Sequence, residues 1–379
     1  MGAILTFRKV TVIFIISILF ISIFTIEVSA NQISELEKSI NELKVSLSET
    51  ARADLEYLGV ANTDINSLSK VDMTSMLNLV LSKFSSESRG PMLVITVLIS
   101  VLIIDALVMS YKDGLRQSSF KEVLALVSTL CVTSVLVFPV IDLINDCLLT
   151  VKDASDFMLL YIPVMVTILA FSGHAVSGAS YYSCMVMACQ GISRLSSVVI
   201  APLLNVYMSF CISASLTHRV NLKGFCDMFS KFIKWLIAFS MTIFSALLTI
   251  RSMITTAYDS VTTRAVRFTM SSFIPIVGAA LSESYKTIQG SINLLRTGAG
   301  VFVILAIFVV FLPTIVRCIM WLFAIGLCKS VAQLLGVTNE LEILSSVNSV
   351  VSTVFAVIMS VLAVFIISTA LLITLGGGV

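Results

Sequence analysis

The stretch "PMLVITVLISVLIIDALVMS", Pro91 to Ser110, decides the fold class. It carries one ionisable side chain, Asp105, in twenty residues. That length at 1.5 Å per helical residue matches the roughly 30 Å hydrocarbon thickness of a bilayer. Such a run reads as a membrane-crossing helix, with Pro91 tolerated in its first turn because the missing donor would be unpaired there anyway. Similar runs recur to Leu375. The whole chain of 379 residues is 58% hydrophobic and 12% charged, with mean hydropathy +1.04. A soluble domain carries about 25% charged residues. The class is therefore all-α, a polytopic helical membrane protein. The net charge of +2, with no basic cluster interleaved with aromatics, gives no reason to expect nucleic acid as a partner.

Upstream, Arg8 and Lys9 precede an apolar run from Val10 to Ile26 and a small-residue signal at Val28/Ala30. Residues 1–30 read as a signal peptide cleaved after Ala30, or as an uncleaved signal anchor. Residues 31–90 read as an extracytoplasmic amphipathic helical segment. Ile33, Leu36, Ile40, Leu43 and Leu47 form a heptad stripe. Asn62-Thr63-Asp64 reads as a break, and Asp72 as the cap of a second helix carrying Met76, Leu77, Val80, Leu81 and Phe84. The segment suits either a self-covering hairpin or a docking helix.

Downstream, residues 91–379 form the multispan domain. Lys112, Arg116 and Lys121 mark a cytoplasmic loop, as do Arg219, Lys223, Lys231 and Lys234 further on. Asp146, Lys152, Asp153 and Asp156 suggest an outside loop dividing a span near Val123–Leu143 from one near Met158–Ser172. This pattern gives eight spans, or seven. Arg251 and Arg317 are expected to snorkel.

Two places depart from plain apolar helix. In 161–180, Pro163 interrupts a span and Gly173 and Gly178 sit among other small residues. In 273–300, Pro275, Gly278 and Gly290 punctuate a segment that also holds Ser282, Glu283 and Lys286. Both read as broken or re-entrant elements. Irregular backbone at membrane depth is tolerated only where protein or water satisfies it, so the second is expected to be buried and to line a conduit or pack on neighbours. Glu283 and Lys286 share a helix face and can neutralise each other. Paired broken helices also suit a stand-alone transporter with a midplane site. Close packing by small residues needs no solute at all. Asp105 is either a conduit-lining group or an interfacial carboxylate reached by water.

Catalytic signals are weak. His174 and His218 are the only histidines, and neither stands in a metal-ligand spacing. There is no P-loop, dinucleotide fingerprint or nucleophile elbow. The eight cysteines read as small apolar packers. No catalytic residue, metal or cofactor is expected.

Three stretches together resemble the stage III sporulation protein AE family of endospore formers. They are "YIPVMVTILAFSGHAVSGAS" from Tyr161, "NLKGFCDMFSKFIKWLIAFSMTIFSALLTI" from Asn221, and "AVRFTMSSFIPIVGAALSESYKTIQGSINLLRTGAG" from Ala265. The resemblance implies a noncatalytic component of a channel or secretion-like complex, made in the mother cell and placed in the outer forespore membrane. It implies other proteins of the same operon and a forespore membrane protein as partners, besides membrane lipids and a possible homo-oligomer. It implies a need in late forespore development, and it carries over no catalytic residues.

Overall fold

The computed structural model describes residues 43, 45–60, 72–112, 118–172, 174–216, 223–273 and 278–374. The chain divides into two compact units between Ser48 and Glu49, and every helix below belongs to the second. These are α1 (Glu49–Tyr57), α2 (Met73–Glu87), α3 (Arg89–Lys112), α4 (Ser118–Phe171), α5 (Ala175–Arg194), α6 (Ala201–Leu216), α7 (Lys223–Phe273), α8 (Gly278–Leu335) and α9 (Thr338–Thr374). No strand occurs among the described residues. Among the described residues, six helical stretches are long and apolar enough to cross a membrane, against the eight or seven expected from the sequence.

The difference lies in helix length. α4 runs unbroken for 54 residues, about 80 Å. The acid-rich stretch around Asp146–Asp156, expected as a loop, is helix throughout. Pro163 does not interrupt it either. A proline in a helix interior costs about 3 kcal/mol. Here Met158, Tyr161, Ile162, Met165, Ile168 and Leu169 are all fully buried around it, and that packing outweighs the cost. The chain turns at Ser172 instead, where His174 N–H donates back to Leu169 O at 2.9 Å.

The path from α5 to α6 is continuous but widened at one point. Leu195–Ile200 forms a π-turn, and Ala201 N–H donates to Ser196 O, five residues back. Pro202 follows immediately. A proline lacks the donor for a regular α bond and clashes with the carbonyl four residues before it. The wide turn supplies the room.

The bundle is organised around α9. Its buried residues run from Glu340 to Leu372 and face several directions, as expected for a helix enclosed by others. It packs on α4, α6, α7 and α8. Side-chain bonds set the register: Tyr207 donates to Ser349 Oγ at 2.9 Å, Ser230 meets Thr353 at 2.9 Å, and Tyr181 meets Ser368 at 3.3 Å. α8 and α9 join through Gly336, whose φ of 73° suits glycine.

The short helices α1 and α2 bear on α8. Asp72 caps α2 as expected, accepting from Thr74 N–H. Lys83 pairs with Asp54 of α1 at 2.7 Å. Leu79 is the buried residue of α2, whereas Leu77 and Leu81, expected on its covered face, are exposed. The heptad stripe lies outside the described residues except at Leu43 and Leu47, and so does the break at Asn62–Asp64.

Candidate functional site

Three polar clusters interrupt the apolar interior. The first is at the corner where α4 gives way to α5. Helix α5 begins with unpaired N–H groups, and its N-cap, His174, makes no side-chain cap bond. Asp259 of α7 does the capping: its carboxylate accepts from Val176 N–H at 3.3 Å and Ser177 N–H at 2.9 Å. The charge also suits the positive end of the helix dipole. From α8, Gln289 Nε2 donates to Ser172 O at 2.9 Å, satisfying the end of α4. Arg296, seven residues on and on the same face of α8, is buried, as are Asp259 and His174. Burial holds the His174 imidazole below its ordinary value; Asp259 pulls it up and Arg296 pushes it further down.

The second cluster joins three helices through one guanidinium. Arg317 of α8 donates to Glu87 of α2, at 2.7 and 2.8 Å, and also pairs with Asp146 of α4. Thr150 and Thr314 meet at 2.7 Å beside it. Arg317 therefore does not snorkel as expected. A planar fork with several donors can hold two carboxylates at once.

The third cluster lies on α3, α4 and α9. Asp105 is 5% exposed and Glu340 fully buried. Thr129 Oγ donates to Glu340 Oε1 at 3.4 Å, and the Ser128 hydroxyl faces the same carboxylate. Asp105 and Glu340 lie within electrostatic reach of each other. Asp105 Oδ2 and Glu340 Oε2 have no hydrogen-bond partner. Asp105 is thus enclosed by protein, not an interfacial group bathed by water. Glu340 escaped the sequence reading because an acid in the first turn of a helix is an ordinary end-of-helix residue.

The other expected residues divide sharply. Gly178 is at a close approach: a Cβ there would meet Leu169 Cβ and Val166 O at 3.4 Å. Pro163 is interior to α4. Gly290 is exposed, with nothing within 4 Å of a Cβ, so it serves no packing contact among the described residues. The expected broken element at 273–300 is helical and unbroken from Gly278 through Gly300 into α8. Its described side chains are largely exposed until Arg296. Gly173 and Pro275 lie outside the described residues, as do the side chains of Gly278, Ser282, Glu283 and Lys286. Six cysteines (147, 189, 211, 226, 318 and 328) are buried, consistent with packing roles. No group of three or more potential metal ligands occurs among the described residues.

Comparison with known proteins gives two matches. The family model described as Stage III sporulation protein AE matches residues 61–376. The curated "Stage III sporulation protein AE" of Bacillus subtilis (strain 168) is 22% identical over 233 residues, 62% of this chain. The match spans 58% of that protein's length, less than two thirds of it. No solved structure matches.

Proposed function

Because the chain belongs to the stage III sporulation protein AE family, we propose that this sporulation membrane protein is a noncatalytic part of a multiprotein channel or secretion-like complex. In this reading the complex links mother cell and forespore, and the chain sits in the mother-cell-derived outer forespore membrane. Its partners are other proteins of the same operon and a forespore membrane protein.

One observation carries the reading: the apolar helices are too long for one bilayer. The apolar stretch of α4, Leu126–Phe171, has 46 residues, about 70 Å of helix. Fitting that into a hydrocarbon slab of roughly 30 Å needs a tilt beyond 60°, outside the usual range of about 0–40°. α3, by contrast, has a span of bilayer length, Arg89–Val108. Glu87 sits just before it and meets Arg317 and Asp146, so that charged cluster marks one face of the slab. Beyond Asp146, α4 continues for about 40 Å. Val176, Tyr182, Met187, Met253 and Phe268 are exposed on helices of that projecting part. Apolar surface of this extent outside lipid marks a protein contact. The positive-inside bias of the basic loops favours a projecting end outside the cytoplasm, which supports an assembly between two membranes.

The stand-alone transporter reading rested on paired broken helices. One of them is a turn between two packed helices, and the other is continuous from Gly278, so among the described residues that reading has no observation of its own. Affinity purification of the full chain from sporulating cells, after mild cross-linking, tests the proposal. Several membrane proteins of the same operon should be recovered with it. Recovery of the chain alone, together with solute movement in liposomes by the purified chain, would overturn the proposal.

A further inference from the structure

We infer that the outer face of α7, near its start, binds an anionic phospholipid, with Lys231 and Lys234 on the phosphate and the rings of Phe232, Trp235 and Phe239 along the acyl chains. Helical spacing sets two stripes side by side there. Asp227, Lys231 and Lys234 follow at intervals of four and three residues. Met228, Phe232, Trp235 and Phe239 follow at four, three and four. Cys226, Ser230, Ile233 and Ile237 are buried, and Ser230 meets Thr353 of α9 at 2.9 Å. At 100° per residue the aromatic stripe stands opposite that buried side, and the lysine stripe flanks it. A shallow cleft between the stripes is lined by Gly224, Asp227, Met228, Lys231, Phe232 and Trp235.

The rings are ordered against one another. Phe232 and Trp235 stack with centroids 6.3 Å apart, and Trp235 and Phe239 with centroids 5.1 Å apart and planes within 10°. Trp235 is nevertheless 57% exposed. A large amphipathic ring open to its surroundings suits the boundary between headgroups and hydrocarbon, where the indole N–H meets polar groups and the ring meets chains. This face opens the apolar stretch Gly224–Arg251, which is long enough to cross a membrane.

The lysines set the sign of the headgroup. Lys231 is exposed and Lys234 half-buried. Neither makes an ion pair or hydrogen bond among the described residues. Asp227 is the one carboxylate in the stripe, so positive charge prevails. Ammonium groups donate to phosphate oxygens. Each lysine near an anionic surface is worth about fivefold in attraction, whereas the choline cation of a zwitterionic lipid would face like charge. Beyond Trp235 the chain carries no charge from Leu236 to Ile250, and Ile243 and Leu247 are exposed. Acyl chains match that uncharged continuation. An acidic partner helix would find no further cation along it.

Tryptophan fluorescence of the full chain in nanodiscs tests this. Trp321, the other tryptophan, is buried, and in Trp321→Phe the emission reports Trp235 alone. The nanodiscs hold a minority of phosphatidylglycerol in phosphatidylcholine, and bromine is carried at equal mole fraction on one lipid or the other. Brominated phosphatidylglycerol should quench Trp235 severalfold more strongly than brominated phosphatidylcholine. Raising the ionic strength should narrow the difference. Replacing both lysines, Lys231→Gln with Lys234→Gln, should bring the two lipids to equality. If Trp321→Phe folds poorly, the wild-type signal less that of Trp235→Phe gives the same reading. Equal quenching by the two lipids in the parent overturns the inference. Quenching by neither overturns it as well, because the face is then not in lipid. So does a preference for phosphatidylglycerol that survives loss of both lysines.

Discussion

Asp259 and the start of α5 lie 82 residues apart in the chain, yet the carboxylate takes the place of the local cap that His174 does not provide. Removing a cap costs roughly 0.5–2 kcal/mol. Asp259→Leu should lower the thermal unfolding midpoint of the detergent-purified chain by about that free energy, whereas Asp259→Asn, whose amide oxygen still accepts, should stay close to wild type. Equal losses in the two variants would show that charge toward His174 and Arg296 matters and the cap does not. At this scale sequence reading is uneven. Asp72 was legible because its helix starts at the next residue and the bond, to Thr74 N–H, is local. Asp259, Arg317 and Glu340 were not, because their partners are distant in sequence. Arg317 alone in an apolar run resembles any snorkelling cation, and only the fold brings Glu87 and Asp146 to it.

Among the elements, the π-turn at Leu195–Ile200 has the clearest mechanical meaning. A wide turn adds one residue to the helical path, and one residue is about 100° of rotation. It sets which face of α6 reaches α9, including the bond from Tyr207 to Ser349. Deleting Val198, which is exposed within that turn, should rotate α6 by about 100° relative to α5. Cysteines substituted at 207 and 349 should cross-link in the full-length chain and fail to do so in the deletion. Cross-linking of both alike would mean that the turn is not what sets the register. Element type was readable from the apolar runs, and the ends of α3 fall within about two residues of expectation. Breaks were readable where basic loops separate α3 from α4 and α6 from α7, and elsewhere they were not. Charges at Asp146–Asp156 look like a loop until Arg317 and the buried faces around them are known, and prolines look like breaks until the packing on either side is weighed.

For the whole molecule, the unevenness of helix length is the main fact. α3 has the length of a bilayer, while α4, α7 and α8 exceed fifty residues each. If the slab covers only the part of the bundle beside α3, a lipid-borne photoactivatable probe should label Ile104 and Val127 and spare Tyr182 and Met187, although all four are exposed. Labelling of all four to the same extent would place the whole apolar length in lipid. The membrane class and the family were legible from composition and motifs. The helix lengths beyond a bilayer's thickness were not, because hydropathy records where a chain is apolar and says nothing of whether lipid or protein covers it.

The position of α9 has a consequence for biosynthesis. Ribosomes release a chain from its N-terminus, and domains begin folding in that order. Here the axial helix emerges after every described helix that encloses it. The earlier helices must therefore wait in the translocon or beside it with their inner faces uncovered, and a nascent chain stopped before Thr338 has no centre on which to close.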